Sequence, residues 1–403
     1  MRILQISDKT PDGGGVGAYV SGMSASLEAR GHEIVHLRLG GGSAEFLATE
    51  ARLHRLPTSY GFVQGHMLLR ALRGLLLEMK PDLIHVHECF TTLSPVLLSE
   101  LRRFSPLVGT LHDVRPFCYL MTRRFTPTGT LCRRQCGLSC FSSGCVRPVG
   151  PSDLIRLPRR WMMDRLNLEE WRRVDRVVVP SRYMHELALQ HGIAARNLRL
   201  VPHGTRVPPL LPSTDNRSAP PLILYLGGLL DYKGPGALVD ALASIRDLAW
   251  HAILAGDGPM RGTLEQAVDR HGLNGRIRFE GHVGDRDRIR ELLGRARLLA
   301  LPSLIPESFA LAGIDALAMG TPVVSFGLGG VGEWLRDGEN GLIAADGDAA
   351  DFARQMGRLI DDRALAEEMG TRGHELVAAQ FSESVAVDGL LAVYREAIHG
   401  EQA

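Results

Sequence analysis

Two carboxylates and a lysine have the types and spacing to do chemistry in this chain. Between Ala300 and Val324 the sequence runs Ala-Leu-Pro-Ser-Leu-Ile-Pro-Glu307-Ser-Phe-Ala-Leu-Ala-Gly-Ile-Asp315-Ala-Leu-Ala-Met-Gly-Thr-Pro-Val-Val. A strand ends at Pro302, a short loop presents Glu307, and a helix runs to Met319, where Gly320 caps it and Pro322 starts the next strand. The spacing of eight residues from Glu307 to Asp315 is a little over two helical turns, so both carboxylates can fall near one side of the element. In that arrangement Glu307 could bind sugar hydroxyls and Asp315 a ribose, with the N–H groups of Phe309, Ala310 and Leu311 directed at a phosphate. An N-cap and a helix-face acid would explain either carboxylate singly, but not the whole arrangement.

The lysine closes Leu226-Gly227-Gly228-Leu229-Leu230-Asp231-Tyr232-Lys233-Gly234, a strand leading into a glycine-rich loop. A cation there can act as a point charge on a diphosphate, whose negative charge grows as a glycosidic bond breaks. Near the N-terminus, Asp12-Gly13-Gly14-Gly15-Val16-Gly17 follows a strand and opens a helix. Consecutive glycines let backbone approach a phosphate or sugar, and the helix start offers free N–H groups. A tight turn is the plainer reading of that run. Its spacing departs from G-x-G-x-x-G, and no clear ribose-binding acid follows the second strand, which excludes a dinucleotide-dependent oxidoreductase.

Other clusters invite chemistry less directly. Asp285-Arg286-Asp287 has the form of a metal-binding Asp-x-Asp, but it lies where a helix should begin and reads as an N-cap. His85 and His87 alternate on a strand, at a core or cleft edge rather than on a metal. Cys118, Cys132, Cys136, Cys140 and Cys145 crowd one loop. Two readings stand open for them: a structural zinc or iron–sulfur site, or reduced free thiols, the spacing lacking the C-x2-C pairs of common zinc knuckles. Residues 156–173 set Arg156, Arg159, Arg160, Arg165, Arg172 and Arg173 around Trp161, Met162, Met163, Leu166 and Trp171. That pattern suits either an ordinary packed helix or a basic amphipathic helix on an anionic membrane.

The elements that must position these residues alternate. Apolar, β-branched runs at 3–7, 34–37, 83–87, 107–110 and 176–179 are separated by helical patterns such as 16–30 and 66–79. After a stretch with five prolines at 207–221 the alternation resumes, with strands at 222–226, 250–255, 277–280, 298–301 and 322–325. Helices are expected at about 235–246, 260–271, 287–296, 310–319 and 350–360. Strand–helix alternation predicts parallel sheets covered on both faces. The chain thus reads as an α/β protein of two Rossmann-like, doubly wound domains: residues 1–206, carrying the Cys-rich loop 118–145, and residues 222–380. Residues 207–221 link them, and a C-terminal helix within 381–403 packs back on the first domain.

A composition 45% hydrophobic and 23% charged is that of a globular protein rather than a disordered or fibrous one. No apolar run reaches the roughly 18 residues of a membrane span, and the first residues read as a strand rather than a signal peptide, which predicts a cytoplasmic protein. Net charge is +1, but residues 1–203 hold 27 Lys+Arg against 17 Asp+Glu. The basic half suits an anionic surface or acceptor; solvated Arg-rich helix faces account for it equally.

Taken in order, these features resemble the GT-B fold and the retaining glycosyltransferase family 4, also called group 1. The likeness spans nearly the whole chain: the N-terminal glycine loop, Gly31-His32-Glu33-Ile34, Thr110-Leu-His112-Asp113, Val179-Pro-Ser181, Val201-Pro-His203-Gly204, Lys233-Gly234, Ala255-Gly-Asp-Gly-Pro259, Gly281-His-Val283, the Glu-x7-acid element and Gly329-Gly330. The resemblance implies two domains facing each other across a cleft. Gly14 and Gly15 would lie beside the donor diphosphate and acceptor, His112 beside the donor sugar, and Lys233 on the diphosphate. Glu307 would hold sugar hydroxyls, Asp315 the ribose, and backbone near Gly227, Gly258 and Val283 the donor and its base. It implies a nucleotide diphosphate-sugar donor, retention of anomeric configuration, and no metal or other cofactor for catalysis. The acceptor would be a glycan, a lipid-linked or a small molecule, not a nucleic acid; where the basic helix lies on a membrane, the basic N-terminal domain would make peripheral contact at its inner face. Two positions depart: Gly227-Gly228 stands where the family usually reads Gly-Arg, and Asp315 is one methylene shorter than the usual glutamate. These departures keep a second reading open, a sugar-nucleotide-binding protein impaired in catalysis.

Overall fold

The computed structural model describes residues 1–8, 14–40, 43–48, 55–57, 62–87, 94–124, 128–146, 150, 153–210 and 220–400. Asp12 and Gly13 of the N-terminal glycine loop, residues 211–219 of the proline-rich stretch and residues 401–403 lie outside this set. The chain forms two compact units, Met1–Pro202 together with Ala386–Ala403, and His203–Val385.

In the first unit, β1 (Arg2–Ser7), β2 (Glu33–Gly40), β3 (Ser43–Ala48), β4 (Arg55–Pro57), β5 (Leu83–His87), β6 (Leu107–Thr110), β7 (Arg176–Val179) and β8 (Leu198–Leu200) form one sheet. Its order is β4-β3-β2-β1-β5-β6-β7-β8. The pairings from β2 through β8 are parallel, and β3 and β4 add an antiparallel edge. Its helices are α1 (Gly14–Ala29), α2 (Phe62–Met79), α3 (Pro95–Leu101), α4 (Ser139–Ser142), α5 (Asp153–Trp171) and α6 (Arg182–Gln190). Strands β5 and β6 are buried at every position, as expected of parallel strands covered on both faces. The last turn of α5 packs on β6 so closely that a Cβ at Gly109 would enter the Trp171 ring. Order reverses between β1 and β5, and the carboxyl ends of strands at such a switch point are where open α/β sheets bind ligands.

The second unit contains β9 (Leu222–Leu226), β10 (His251–Ala255), β11 (Ile277–Gly281), β12 (Leu298–Leu301), β13 (Val323–Ser325) and β14 (Gly341–Ile343), all parallel, in the order β11-β10-β9-β12-β13-β14. Relative to chain order this is 3-2-1-4-5-6, the dinucleotide-fold arrangement, with its switch point between β9 and β12. Its helices are α7 (Pro235–Ser244), α8 (Arg261–Arg270), α9 (Arg286–Arg295), α10 (Leu311–Ala318), α11 (Ala349–Asp361) and α12 (Arg363–Gln380). The period of two along β9 divides the core. Ile223 and Tyr225 join one apolar cluster, Leu222 and Leu224 the other, so both faces are covered.

The strands expected from the sequence are present within a residue of their ends except β2, which runs three residues past the expected 34–37, whereas β3, β4, β8 and β14 were not foreseen. Three of these are only three residues long, too short for a hydrophobic period to declare itself. Helix α13 (Glu383–His399) follows α12, and from Ala386 onward it belongs to the first unit. There Tyr394 is fully buried, and Glu396 accepts from Arg176 at 3.2 Å and from Arg199 at 2.6 Å.

Candidate active site

The loops leaving β9 and β12 at the switch point of the second unit carry Lys233 and Glu307. After β9 the chain passes through Gly227 and Gly228 to a single 3-10 turn, Asp231–Lys233, and then to Gly234 at φ +69°. Only glycine fits that position, because a Cβ there would collide with the Pro302 carbonyl oxygen. This close approach, with Leu304 N–H donating to the Tyr232 carbonyl at 2.9 Å, fastens the two loops together. Lys233 Nζ then reaches both carboxylate oxygens of Glu307, at 2.7 and 2.9 Å.

Glu307 is held from three directions. Ser303 Oγ donates to Oε1. Its own N–H donates to the Leu328 carbonyl at 3.3 Å, and its carbonyl accepts from Gly330 N–H at 2.7 Å. Its side chain is 10% exposed against 32% for Lys233. The carboxylate is therefore fixed while the ammonium keeps a face to solvent. Tyr225 OH donates to the Gly228 carbonyl at 2.7 Å and fixes that peptide beside them. A Cβ at Gly228 would meet Leu230 Cδ1 at 3.4 Å and the Asp257 carbonyl at 3.8 Å, ordinary contacts, so the position itself tolerates a side-chain carbon.

Helix α10 opens beyond Glu307 with Ala310 at φ +62° and no side-chain cap. A non-glycine residue in the left-handed region is uncommon and costs free energy, about 1–2 kcal/mol. What holds it is rigid on both sides: Phe309 is buried beside His203, its carbonyl accepts from Trp334 Nε1 at 2.6 Å, and a Cβ at Gly313 would enter the Trp334 ring. Asp315 lies in the middle of α10, where Thr205 Oγ1 donates to Oδ1 at 2.5 Å. Burial pushes the Asp315 carboxyl above the usual carboxylate range, opposed by the Thr205 hydroxyl and by Arg286 and Arg290. Glu307 and Asp315 thus take different partners, one a lysine and the other a threonine.

Gly258 lies in the loop after β10, where its N–H meets Asp257 Oδ1 at 2.7 Å and a Cβ would press on the Leu229 carbonyl. Val283, beyond β11, packs partly buried on the apolar cluster of that face. Asp285 caps α9 by accepting from Asp287 N–H at 2.9 Å, which agrees with the N-cap reading of that acidic pair.

In the first unit Gly14, at φ +77°, and Gly15 open α1 and are exposed. His112 follows β6 and is 3% exposed. Its Nε2 lies 3.1 Å from His87 Nδ1, the two rings are stacked at 5.4 Å, and the Tyr19 ring meets His112 edge-on at 5.3 Å. Behind them His85 bonds Tyr394 OH through Nδ1 at 2.6 Å and Thr110 Oγ1 through Nε2 at 2.7 Å. Burial pushes the His85 imidazole down to about 3, so it is neutral at physiological pH.

In the Cys-rich loop Cys118, Cys132, Cys136, Cys140 and Cys145 are all partly buried. Burial, with the neighbouring Cys140 adding to it, pushes the Cys136 thiol up to about 12. Among the described residues no three His, Cys, Asp or Glu side chains gather so as to hold a metal ion. Helix α5 buries Asn167, Leu168 and Trp171 but exposes Arg156, Arg159, Arg160, Arg165, Met162 and Leu166. Among the described residues no helix is long and apolar enough to cross a membrane.

The sequence pattern of the Glycosyl transferases group 1 family matches residues 220–362, and that of the Glycosyl transferase 4-like domain matches residues 14–204. The chain belongs to the group 1 glycosyltransferases. The glycogen synthase of Mycobacterium tuberculosis is 25% identical to this glycosyltransferase over an alignment 437 positions long, gaps included, which covers 100% of this chain and 96% of that protein. The sucrose-phosphate synthase of Thermosynechococcus elongatus shares its fold with a TM-score of 0.73 at 22% identity, each chain covered completely. Anabaena Alr3699/HepE, solved in complex with UDP and glucose, matches with a TM-score of 0.66 at 18% identity, over 98% of this chain and 99% of that one. These likenesses place the transferase in the two-domain GT-B fold.

Sequence reasoning singled out Lys233, Glu307, Asp315 and His112, and missed Ser303, Thr205 and Tyr225. Ser303 precedes Glu307 by four residues, in the same loop. Thr205 lies 110 residues from Asp315, and no local pattern signals that pairing.

Proposed function

We propose that this glycosyltransferase moves a sugar from a nucleotide diphosphate-sugar to an acceptor hydroxyl with retention of anomeric configuration, without a catalytic metal. The observation that carries the reading is the Lys233–Glu307 pair at the switch point between β9 and β12. An ammonium group has three N–H donors, and the contacts to Glu307 use no more than two. The remaining donor and the exposed face of Lys233 suit a diphosphate oxygen. As the C1–O bond to the diphosphate breaks, that oxygen gains charge, and a cation beside it stabilises the transition state more than the ground state. A new C1–O bond forms to the acceptor on the same face of the sugar, and the acceptor's proton passes to the departing diphosphate.

In this reading Glu307 receives sugar hydroxyls and Asp315 the ribose, with Gly227, Gly258 and Val283 bordering the nucleotide and the amides of Phe309, Ala310 and Leu311 facing phosphate. His112, Gly14 and Gly15 serve the sugar and the acceptor. The five thiols of the Cys-rich loop stay reduced and metal-free, as suits a cytoplasmic enzyme. The exposed arginines and apolar side chains of α5 support peripheral contact with an anionic membrane, where a lipid-linked acceptor would be found.

Thermal-shift measurements with UDP-, GDP-, ADP- and dTDP-sugars, followed by transfer assays with NMR of the product's anomeric centre, test the reading. Stabilisation by one donor, with turnover and retention, is the expected result. Stabilisation without turnover on any acceptor would favour the binding-protein reading motivated by Gly228 and Asp315.

A further inference from the structure

His87 is the last residue of β5 and is paired in the sheet with Ser7 on one side and Thr110 on the other. It is 1% exposed, and its backbone belongs to the rigid ladder at the carboxyl ends of the strands. His112 lies beyond the end of β6, outside any helix or strand. Its ring is steadied by the 3.1 Å contact between His87 Nδ1 and its own Nε2 and by the Tyr19 edge against it, among its contacts. Such an N···N contact needs one N–H and one lone pair, so the tautomer of one imidazole dictates that of the other. His85, its ring centroid 3.9 Å from that of His87 and its two nitrogens taken by Tyr394 and Thr110, leaves the His87 ring little room to turn.

We propose that His87 is a positioning residue for the transfer reaction: through its Nδ1 it fixes the ring plane and the tautomer of His112. The inference rests on the reading that His112 faces the donor sugar, but the coupling between the two rings is a property of the first unit alone. A histidine that changes tautomer presents a donor where an acceptor was, and an ill-placed group can lower turnover by about 10- to 100-fold while the donor still binds.

The test uses the full-length protein with 15N-labelled histidine. In the unsubstituted protein His112 should show one tautomer by long-range 15N–1H correlation, with a scalar coupling across the bond from His87 Nδ1 to His112 Nε2. Two interconverting tautomers of His112, or no coupling, would overturn the proposal whether or not any variant folds. His87→Leu should release His112 to a mixture of tautomers and lower kcat about 10- to 100-fold with the donor KM unchanged. His87→Asn, whose amide lies near the position of Nδ1, should restore most of both. If His87→Leu leaves the His112 nitrogen shifts as they were, or if His87→Asn is as impaired as His87→Leu in both readouts, His87 does not position His112. Absence of transfer in the unsubstituted protein on every donor would instead count against the functional reading, and the NMR arm would still decide the coupling.

Discussion

The two units solve the placing of polar groups in opposite ways. In the second, a charged pair 74 residues apart in sequence meets at the ends of β9 and β12, and its lysine remains one-third exposed. In the first, the rings of His85, His87 and His112 with the hydroxyls of Thr110 and Tyr394 are buried. A charge interacts over several ångströms and tolerates a shift in partner. Hydrogen bonds among uncharged buried groups do not, because a lost partner leaves a desolvated donor or acceptor costing about 1–3 kcal/mol. The second unit is therefore suited to exchanging one anion for another, and the first to holding one geometry.

The comparison breaks most visibly at Lys233. Lys233→Ala should lower kcat by about two to three orders of magnitude, the scale of losing one preorganised electrostatic donor, and Lys233→Arg should recover only part of it. Steady-state kinetics decide: a rise in KM alone, with kcat untouched, would assign uniform binding to the residue and the leaving-group role to another cation. Glu307→Ala should remove most transfer activity while the fold survives, read by circular dichroism beside the assay. Near-normal turnover in a folded variant would remove Glu307 from the site.

Gly228→Arg sharpens the same side. A Cβ fits at Gly228 with ordinary contacts, and one charge-assisted hydrogen bond from an arginine there to a diphosphate should tighten donor binding about tenfold. Calorimetric titration of the donor measures this, and unchanged affinity would show that another cation already fills the role.

The first unit should be the more sensitive to acid, because burial depresses both His85, to about 3, and His191, to about 4, there, whereas in the second His203 alone among the described histidines is pushed so low, to about 3. The His85 imidazole lies at about 3 in the folded protein, against about 6.5 unfolded. Its burial carries no penalty above pH 6.5. As pH falls below that value the unfolded chain takes up the proton first, and stability declines by about 1.4 kcal/mol per pH unit until the folded value is reached. Urea unfolding at pH 7 and pH 5 should therefore show a smaller pH difference for His85→Phe than for the unsubstituted protein, by about 2 kcal/mol. Equal differences would mean that Thr110 and Tyr394 hold the protonated ring as well as the neutral one. The smallest expected effect belongs to the Cys-rich loop: elemental analysis of protein purified without an affinity metal should find neither zinc nor iron in stoichiometric amount. A full equivalent of either would overturn the free-thiol reading.

The sequence by itself determined the alternation of strands and helices, because burial on both faces of a parallel sheet forces continuous apolar runs such as Leu222–Leu226 between amphipathic segments. It also marked Lys233, Glu307 and Asp315, since glycine-rich loops and a carboxylate ahead of a helix are local patterns. Only the tertiary structure decided which groups pair. Ser303 and Lys233 meet at Glu307, Thr205 and not Glu307 shares the site of Asp315, and Tyr394 returns from the last helix to His85. Such pairings depend on strand order and on a few close backbone approaches, Gly234 against Pro302 among them. A hydrogen bond forms wherever the fold brings donor and acceptor within about 3 Å, and separation along the chain leaves no periodic trace of it.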